Sequence, residues 1–469
     1  MAKIKRLINF GLPVSACNMR CSYCYVSQVG WDTKQLGQLD YSVEHIQRCL
    51  TVERLGGVCH INMCGSGETL LPDYTLELAE KFLENGHYVS IVTNGTLTNR
   101  IEQLCNFNEE YKSRLFVKFS LHYFELKRSK LLNKLFDNIR FVKKNNISFS
   151  IELGADDSYL PYIDEIKAIC EKEVGSAPHV IELRRQYDLE EYARLTELPL
   201  EQHIEGFQKL NTSMFNFQQK HWGEKRTEFC YAGEWIIQLD AKSGWFVPCF
   251  IGGEHIQNIY ENPDEPINFV AMGCNCPWKH CYSAYILLTS GTVPSLETPT
   301  YASFRDGTFL DGSSWLGPKV AEFFSSKFIE SNNEYSQEKK EYINALMAMQ
   351  YKNREYKWNT NKIAKILENA LVQRAIKTVA LIGTNIYTDW LLMHLMQTSI
   401  EVKYIVDINE QTMHIVAKPN NLLPVVKGIN DDLSHVDAAI VTEYAYYDDI
   451  KKNMPVVYDK ILSLVELVE

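Results

Sequence analysis

The stretch IKRLINFGLPVSACNMRCSYC, residues 4–24, places an apolar run directly before three cysteines. The apolar residues 4–10 are typical of a buried β-strand. Cys17, Cys21 and Cys24 follow on one short loop, with three and then two residues between them. Three thiolates on one loop can ligate three irons of a four-iron, four-sulfur cluster, which leaves the fourth iron without a protein ligand. That iron can bind a small molecule through the molecule's amino and carboxylate groups.

Zinc binding and free thiols are the alternatives for these three cysteines. A structural zinc ion takes four ligands in paired spacings, and no second pair lies nearby in the sequence. A disulfide is disfavoured in a reducing compartment. We expect that compartment because no apolar run approaches the roughly 20 residues of a membrane span, and the first residues lack the features of a signal peptide. The sequence therefore predicts a cytoplasmic protein with no membrane contact.

Apolar runs and amphipathic stretches alternate through the N-terminal part of the chain. The candidate strands lie at residues 4–10, 58–63, 88–93, 115–121, 147–153 and 179–183. The candidate helices, in which apolar residues recur at spacings of three and four, lie at residues 42–55, 74–85, 126–145 and 162–173. This alternation predicts parallel βαβ units, and six of them predict an α/β fold with a partial (β/α)6 barrel of the TIM type. In such barrels the chemistry gathers at the C-terminal ends of the strands.

The spacing of Cys17, Cys21 and Cys24 after the first strand resembles the signature of the radical S-adenosylmethionine (SAM) superfamily. The resemblance covers roughly residues 5–190. It implies that the three cysteines form the catalytic centre and hold a [4Fe-4S] cluster whose open iron binds SAM. Tyr23 stands at the aromatic position that contacts the adenine in family members.

Further residues match places that bind SAM in this superfamily. The segment made of Gly65, Ser66, Gly67 and Glu68 resembles the GGE motif, whose backbone groups bind the amino group of SAM. Polar residues near the ends of later strands correspond to contacts with the ribose and the carboxylate of SAM: Asn94, Ser120 and Arg184, with His122 and Glu152 as further candidates. The alternative for each is that it satisfies a nearby backbone group.

A second group of cysteines comprises Cys230, Cys249, Cys274, Cys276 and Cys281. The spacing from Cys230 through Gly244 to Cys249 resembles the opening of the SPASM and Twitch extensions of the superfamily. Residues 233–249 are typical of a β-hairpin, which would bring Cys230 and Cys249 together. Full SPASM domains carry seven cysteines and two clusters, so five cysteines predict one auxiliary [4Fe-4S] cluster. The choice between Cys274 and Cys276 as ligand stays open, and a zinc ribbon is the alternative.

The predicted domains are the barrel at residues 1–220, the Twitch-like domain at 221–305, a helical linker at 306–371 and a Rossmann-like α/β domain at 372–469. The glycine- and serine-rich residues 307–317 are interpreted as an exposed connection. In the last domain, GTNIYT keeps only the first glycine of GxGxxG, with Asn385 and Thr388 in place of the others. An acidic residue, Asp407, follows at about the distance that suits a ribose contact. We therefore expect a structural or partner-binding domain without a working nucleotide site.

The resemblance implies an enzyme that cleaves SAM with one electron and abstracts hydrogen from a substrate C–H bond, with reduced flavodoxin or ferredoxin as electron donor. A net charge of −11 gives no electrostatic reason to expect nucleic acid as a partner. A small, sugar-type substrate is favoured slightly over a peptide. The alternatives are a peptide maturase, an electron-transfer or scaffold protein without turnover, and a zinc-binding regulatory protein.

Overall fold

The computed structural model describes residues 2–28, 34–185, 193–249, 256–274, 276, 278–281, 283–355, 360–383, 388, 391–392, 395, 398–407, 425–428, 433, 435–442 and 461–463. The chain divides into two compact units, Met1–Tyr351 and Lys352–Glu469. Among the described residues, no helix combines the length and the apolar character that crossing a bilayer requires.

The first unit is built on one nine-stranded sheet. Its strands are β1 (Arg6–Leu12), β2 (Cys59–Gly65), β3 (Tyr88–Thr93), β4 (Leu115–Ser120), β5 (Ser148–Gly154), β6 (His179–Ile181), β7 (Ile236–Asp240), β8 (Trp245–Val247) and β9 (Gln257–Asn258). Strands β1 to β6 are parallel and stand side by side in chain order. A sequential order is that of a TIM-type barrel, whereas doubly wound sheets reverse direction at a switch point. The predicted α/β class with a parallel, partial-barrel sheet is confirmed.

The described part of the chain contains the helices α1 (Tyr25–Gln28), α2 (Val43–Cys49), α3 (Tyr74–Glu84), α4 (Thr98–Cys105), α5 (Glu109–Lys112), α6 (Tyr123–Arg128), α7 (Leu132–Lys144), α8 (Ile163–Val174), α9 (Leu200–Phe207), α10 (Ser213–His221), α11 (Ala284–Leu287), α12 (Pro318–Ser325), α13 (Gln337–Glu355) and α14 (Thr360–Gln373). Short 3₁₀ turns lie at Asp157–Tyr162, Ala302–Phe304 and Phe328–Glu330. The predicted helix at residues 126–145 is interrupted between α6 and α7, where Lys130 has a φ of 57°.

The two faces of the parallel sheet differ in chemistry because side chains alternate along a strand. Residues such as Ile8, Ile61 and Val117 belong to the main hydrophobic core of the unit. The other face carries polar residues in its middle, including Asn9 and Asn62, which stand opposite each other in the register of β1 and β2. The barrel therefore has an apolar exterior under its helices and a polar interior.

Strand β7 extends this same sheet, because it pairs in parallel with β1 on the side away from β2. Strands β8 and β9 then continue it antiparallel. The hairpin of the predicted Twitch-like segment is thus continuous with the barrel sheet and not a separate sheet.

The predicted exposed connection at residues 307–317 is exposed at residues 308, 310–312 and 314, but its end at Trp315 and Leu316 is buried. Trp315 is 1% exposed, and its ring N–H donates to the carbonyl oxygen of Val174 over 3.0 Å. Helix α12, which follows directly, stacks Phe323 on Tyr88 with ring centroids 3.8 Å apart. The sequence misled because Gly307 suggests a flexible loop, whereas a Cβ at that position would lie 2.6 Å from the indole of Trp315. Glycine here permits close packing.

The second unit contains a five-stranded parallel sheet, with strands β10 (Thr378–Ile382), β11 (Glu401–Asp407), β12 (Val425–Gly428), β13 (Ala438–Val441) and β14 (Ile461–Ser463). Their order is β12-β11-β10-β13-β14, with a reversal after β12 as in doubly wound sheets. Thr388 is buried, and its hydroxyl donates to the carbonyl oxygen of Gly383 over 2.7 Å. Asn385 lies outside the described residues. The absence of a working nucleotide site stays a prediction.

Candidate functional site

The loop with the first three cysteines leaves the C-terminal end of β1, as expected for a barrel site. Its three thiols are close enough to influence one another electrostatically. Burial, followed by the proximity of Cys24 and Cys17, raises the pKa of Cys21 above its ordinary value. Burial also raises the pKa of Cys17. A cluster bound here would supply cations that favour the thiolate forms, and its binding would displace the protons.

Side chains from two later strand ends hold this loop in place. The Asn18 amide donates to Thr96 Oγ1 over 2.8 Å, and the Asn94 amide donates to Asn18 Oδ1 over 2.7 Å. The carboxylate of Glu125, at the start of α6, accepts from the backbone N–H of Arg20 over 3.0 Å. The loop is therefore fixed on both sides before any cofactor binds.

The glycine segment after β2 packs directly beneath the cysteine loop. The N–H of Gly67 donates to the carbonyl oxygen of Val14 over 2.7 Å. The N–H of Glu68 donates to the carbonyl oxygen of Ala16 over 2.8 Å. A Cβ on Gly67 would lie 2.0 Å from the oxygen of Ala16, and one on Gly65 would lie 2.2 Å from Val14 Cγ1. Glycine is required here because two backbone segments meet. An ammonium group only donates hydrogen bonds, so one bound here would use carbonyl oxygens of the segment as acceptors.

The side chain of Glu68 lies buried between the ends of β2 and β3. Its carboxylate is 2% exposed and accepts from Thr93 Oγ1 over 2.6 Å, from the Asn94 N–H over 2.8 Å and from the Leu70 N–H over 3.1 Å. Burial raises the pKa of Glu68, and these hydrogen bonds oppose the rise. The side chain therefore links the ends of β2 and β3 and keeps Asn94 next to the cysteine loop.

An aromatic cluster lies beside the last cysteine of the loop. The hydroxyl of Tyr159 donates to that of Tyr23 over 3.2 Å, and Tyr23 Oη lies 2.7 Å from His122 Nδ1. Burial lowers the pKa of His122 to about 4, so the imidazole is neutral at pH 7 and can accept from Tyr23. The tyrosine predicted to contact adenine is thus oriented by two neighbours.

The remaining predicted SAM contacts have the following neighbours in the structure. Asn94 Nδ2 lies 4.0 Å from Cys17 Sγ. Ser120 ends β4 and stands opposite Glu152 of β5. Arg184 interacts electrostatically with Tyr25, the residue after Cys24. Ser66 is exposed and forms a hydrogen bond with Tyr25.

Four cysteines of the second group line one pocket: Cys230, Cys249, Cys276 and Cys281. The pKa of the Cys281 thiol is raised well above its ordinary value by burial and then by the proximity of the other three. Arg226, which is 4% exposed, also lines the pocket and favours the thiolate form of Cys281. The pocket is therefore a four-thiol site with a buried cation at its wall.

The backbone explains how distant cysteines meet there. Cys230 and Gly273 exchange two hydrogen bonds, with Cys230 N–H donating over 3.1 Å and Gly273 N–H over 3.0 Å. The turn between β7 and β8 is closed by Gly244, which has a φ of 84° and donates to the carbonyl oxygen of Asp240 over 2.9 Å. This hairpin carries the chain back towards Cys249.

Cys274 does not line the pocket. It is exposed, and its sulfur accepts from the Asn344 amide over 3.6 Å. Among the described residues, no three His, Cys, Asp or Glu side chains are placed around a single-ion position. A zinc ion would need sulfurs about 3.8 Å apart, given a Zn–S bond of about 2.3 Å in tetrahedral geometry.

Sequence reasoning missed several polar residues inside the barrel, above all Lys118, Arg305 and Asn62. Lys118 could have been found from its strand, LFVKFS, because a lysine at an inward position of a buried parallel strand needs a partner. Arg305 is distant in sequence and gave no comparable signal.

Comparison with known proteins gives one matching family model and several similar solved structures. The model of the Radical SAM superfamily matches residues 12–134. No curated protein matches the chain. Among solved structures, Streptococcus suis SuiB bound to the precursor peptide SuiA is 15% identical, with a TM-score of 0.40, covering 56% of this chain and 64% of SuiB, less than two thirds of its length. The enzyme anSMEcpe with bound AdoMet is 17% identical, with a TM-score of 0.38, covering 55% and 79%. BtrN in complex with AdoMet and 2-DOIA is 14% identical, with a TM-score of 0.26, covering 56% and 80%.

Proposed function

We propose that this chain, an enzyme whose residues 12–134 belong to the radical SAM superfamily, uses Cys17, Cys21 and Cys24 as the ligands of its catalytic [4Fe-4S] cluster. Membership of the superfamily implies that cluster and SAM as cofactors. The observation that carries the proposal is the position of the loop, in which three neighbouring thiols follow the C-terminal end of β1 on a backbone held by Glu125 and Asn18. When bound, the cluster supplies one electron for the cleavage of SAM into methionine and a 5′-deoxyadenosyl radical, which takes a hydrogen atom from the substrate.

The protein's own residues would position SAM around that loop. Tyr23, oriented by His122 and Tyr159, offers its ring to the adenine. The carbonyl oxygens of the segment from Gly65 to Ser66 suit the amino group, because a protonated amine donates hydrogen bonds and needs acceptors. Asn94, Ser120 and Arg184 are the proposed contacts for the remaining polar groups. Glu68 supports Asn94 and does not need to touch SAM.

We further propose that Cys230, Cys249, Cys276 and Cys281 hold one auxiliary [4Fe-4S] cluster. Four partly buried thiols match the ligand set of such a cluster, and Arg226 would offset part of the negative charge that deprotonation creates. With four protein ligands this cluster would serve electron transfer, accepting the second electron of a substrate oxidation. Cys274 is not among the proposed ligands because its sulfur is exposed and bound by Asn344.

The substrate is proposed to be a small molecule or a peptide, with reduced flavodoxin or ferredoxin as electron donor in the cytoplasm. The polar interior of the barrel, with Asn9 and Asn62 in its middle, suits a small polar substrate. A peptide maturase remains the second candidate for the same chemistry.

Production of 5′-deoxyadenosine tests the proposed function. The anaerobically reconstituted chain, reduced with dithionite in the presence of SAM, should form it, and the variant with Cys17, Cys21 and Cys24 replaced by Ala should not. Cys274→Ala is the matched control and should retain activity. Bound clusters without any 5′-deoxyadenosine would instead identify an electron-transfer or scaffold protein.

A further inference from the structure

The interior of the barrel holds a connected set of polar side chains at its centre. Lys118 of β4 donates to Asn62 Oδ1 over 2.6 Å. The hydroxyl of Ser90 donates to the same oxygen over 3.1 Å, and the Asn62 amide donates to Asn9 Oδ1 over 3.1 Å. His60 Nε2 lies 2.6 Å from the hydroxyl of Ser90. These residues come from four neighbouring strands and point into one space.

A second cation enters this space from outside the barrel strands. Arg305, directly after the 3₁₀ turn Ala302–Phe304, is fully buried and forms an ion pair with Glu152 of β5. Its guanidinium carbon lies 4.8 Å from the ring centre of Tyr301 and 5.2 Å from that of Tyr285. Segments that follow the second cysteine group therefore contribute part of the interior wall.

The charges in this space do not balance. Lys118 is 6% exposed, and burial, then repulsion from Arg305, lowers its pKa to about 7. Burial lowers the pKa of Arg305 to about 9. Glu152 is the one carboxylate paired with them among the described residues. Two buried cations with one carboxylate are costly for a fold unless a further anion joins them.

Several polar atoms around the two cations also lack partners within the described part of the chain. They are Arg305 Nε and Nη2, Asn9 Nδ2, His60 Nδ1, Ser150 Oγ, Tyr301 Oη and Gln238 Oε1. Of these, Gln238 Oε1 only accepts and the role of His60 Nδ1 depends on the tautomer, whereas all the others can donate a hydrogen bond. A group made mainly of donors, next to two cations, is complementary to an oxyanion.

We propose that Lys118 and Arg305 bind an anionic group of the substrate, a carboxylate or a phosphate, inside the barrel. That the bound molecule is the substrate rests on the proposed function. The location of Lys118 near the cysteine loop supports a substrate site. Lys118 interacts electrostatically with Cys64, and Cys64 interacts with Tyr25, the residue after Cys24. An anion held at Lys118 would fix the rest of a small molecule between this anchor and the cysteine loop.

Two matched pairs of small molecules test this with the full reconstituted chain. Glutarate is compared with the neutral glutaramide, and glycerol 3-phosphate with glycerol, by following the unfolding temperature against concentration. We expect a saturable rise with at least one anion and none with its neutral partner. The anion that acts tells a carboxylate from a phosphate. If each neutral partner raises the unfolding temperature as much as its anion, or if no anion acts, the proposal is overturned.

Variants connect this effect to the proposed residues. Lys118→Met should weaken anion binding about tenfold to a hundredfold, the effect of one hydrogen bond to a charged group. Lys127→Met is the control, since Lys127 is half-exposed and pairs with Glu165 on the surface. If Lys118→Met does not fold, Lys118→Gln, which keeps a donor for Asn62, takes its place. Equal binding by the Lys118 variant and the Lys127 variant overturns the proposal.

This binding experiment is independent of turnover. A chain that binds the anion through Lys118 yet forms no 5′-deoxyadenosine would keep the anion site and refute the proposed function. A chain that forms 5′-deoxyadenosine without binding the anion would support the proposed function and refute the anion site.

Discussion

The backbone N–H of Gly67 donates to the carbonyl oxygen of Val14 over 2.7 Å, which joins the loop after β2 to the start of the cysteine loop. Because the two backbones are in contact, a Cβ on Gly67 would lie 2.0 Å from the oxygen of Ala16. Gly67 therefore helps to fix the position of the cysteine loop.

Gly67→Ala should therefore displace the cysteine loop and impair the first cluster. We expect loss of most SAM cleavage with the second cluster retained, and a stability loss of about 1–3 kcal/mol from overpacking. Gly312→Ala is the control, because Gly312 has a φ of 81° but no atom within 4 Å of its would-be Cβ. Similar SAM cleavage by both variants would show that contact with the cysteine loop is unimportant.

We expect substitutions of Cys276 and Cys274, two residues of the second cysteine group, to differ in their effect on iron content. Cys276→Ser should remove most of the auxiliary cluster, about four irons per chain, because Cys276 lines the pocket. Cys274→Ser should keep the wild-type iron content, about eight irons for two clusters. Iron and acid-labile sulfide analysis of the reconstituted variants measures this. An equal loss in both variants would contradict the choice of Cys276 over Cys274, and zinc in place of iron would contradict the cluster.

Because Lys118 is buried, we expect the free energy of unfolding to depend on pH. The pKa of Lys118 is about 7 in the folded chain and its ordinary value is 10.5. Between these values the unfolded chain binds the extra proton, so this residue makes stability rise with pH from about 7 to about 10.5. Below pH 7 both states are protonated and the cost of the buried charge, at most about 5 kcal/mol, is fully present.

Lys118→Met should consequently raise the unfolding temperature relative to wild type at pH 6, by several degrees, and less at pH 9. The difference between the two proteins is the informative quantity, because buried tyrosines and cysteines titrate in both. Lys127→Met should show no such pH-dependent difference. A constant difference at both pH values would mean that Lys118 is charged throughout.

We expect dinucleotides not to bind to the second unit and not to raise its unfolding temperature. Thr388 is buried and hydrogen-bonded to Gly383 and Thr442, so its side chain fills the place where a glycine would allow close helix packing. The full chain should show no thermal shift with about 1 mM NAD or NADP. Binding at a hundredfold excess over Kd would stabilise by about 2.7 kcal/mol. A shift that Asp407→Ala abolishes would reveal a working site.

The sequence allowed prediction of the barrel strands and the cysteine loop because both depend on local pattern. Apolar runs with period-specific spacing predict β1 to β6, and the Cys17 to Cys24 spacing is contained in eight consecutive residues. The glycine positions at 65 and 67 were also readable, although their partner, the loop at Val14, was not.

Long-range packing accounts for what the sequence did not reveal. Trp315 lies 141 residues from its partner Val174, and Arg305 reaches Glu152 from another part of the chain. A glycine-rich segment and a lone arginine give no local signal of burial. The four-cysteine pocket was predictable as a group, but the exclusion of Cys274 depends on its contact with Asn344.

We propose that SAM binds at the open iron of the cluster held by Cys17, Cys21 and Cys24. Electron paramagnetic resonance of the dithionite-reduced chain, recorded with and without SAM, distinguishes this cluster from the auxiliary one. We expect SAM to change the signal of the reduced cluster in the wild type, and we expect the variant with Cys17, Cys21 and Cys24 replaced by Ala to retain only a signal that SAM leaves unchanged. A wild-type signal that does not respond to SAM, or a response that survives in the triple variant, would show that SAM does not bind at this cluster.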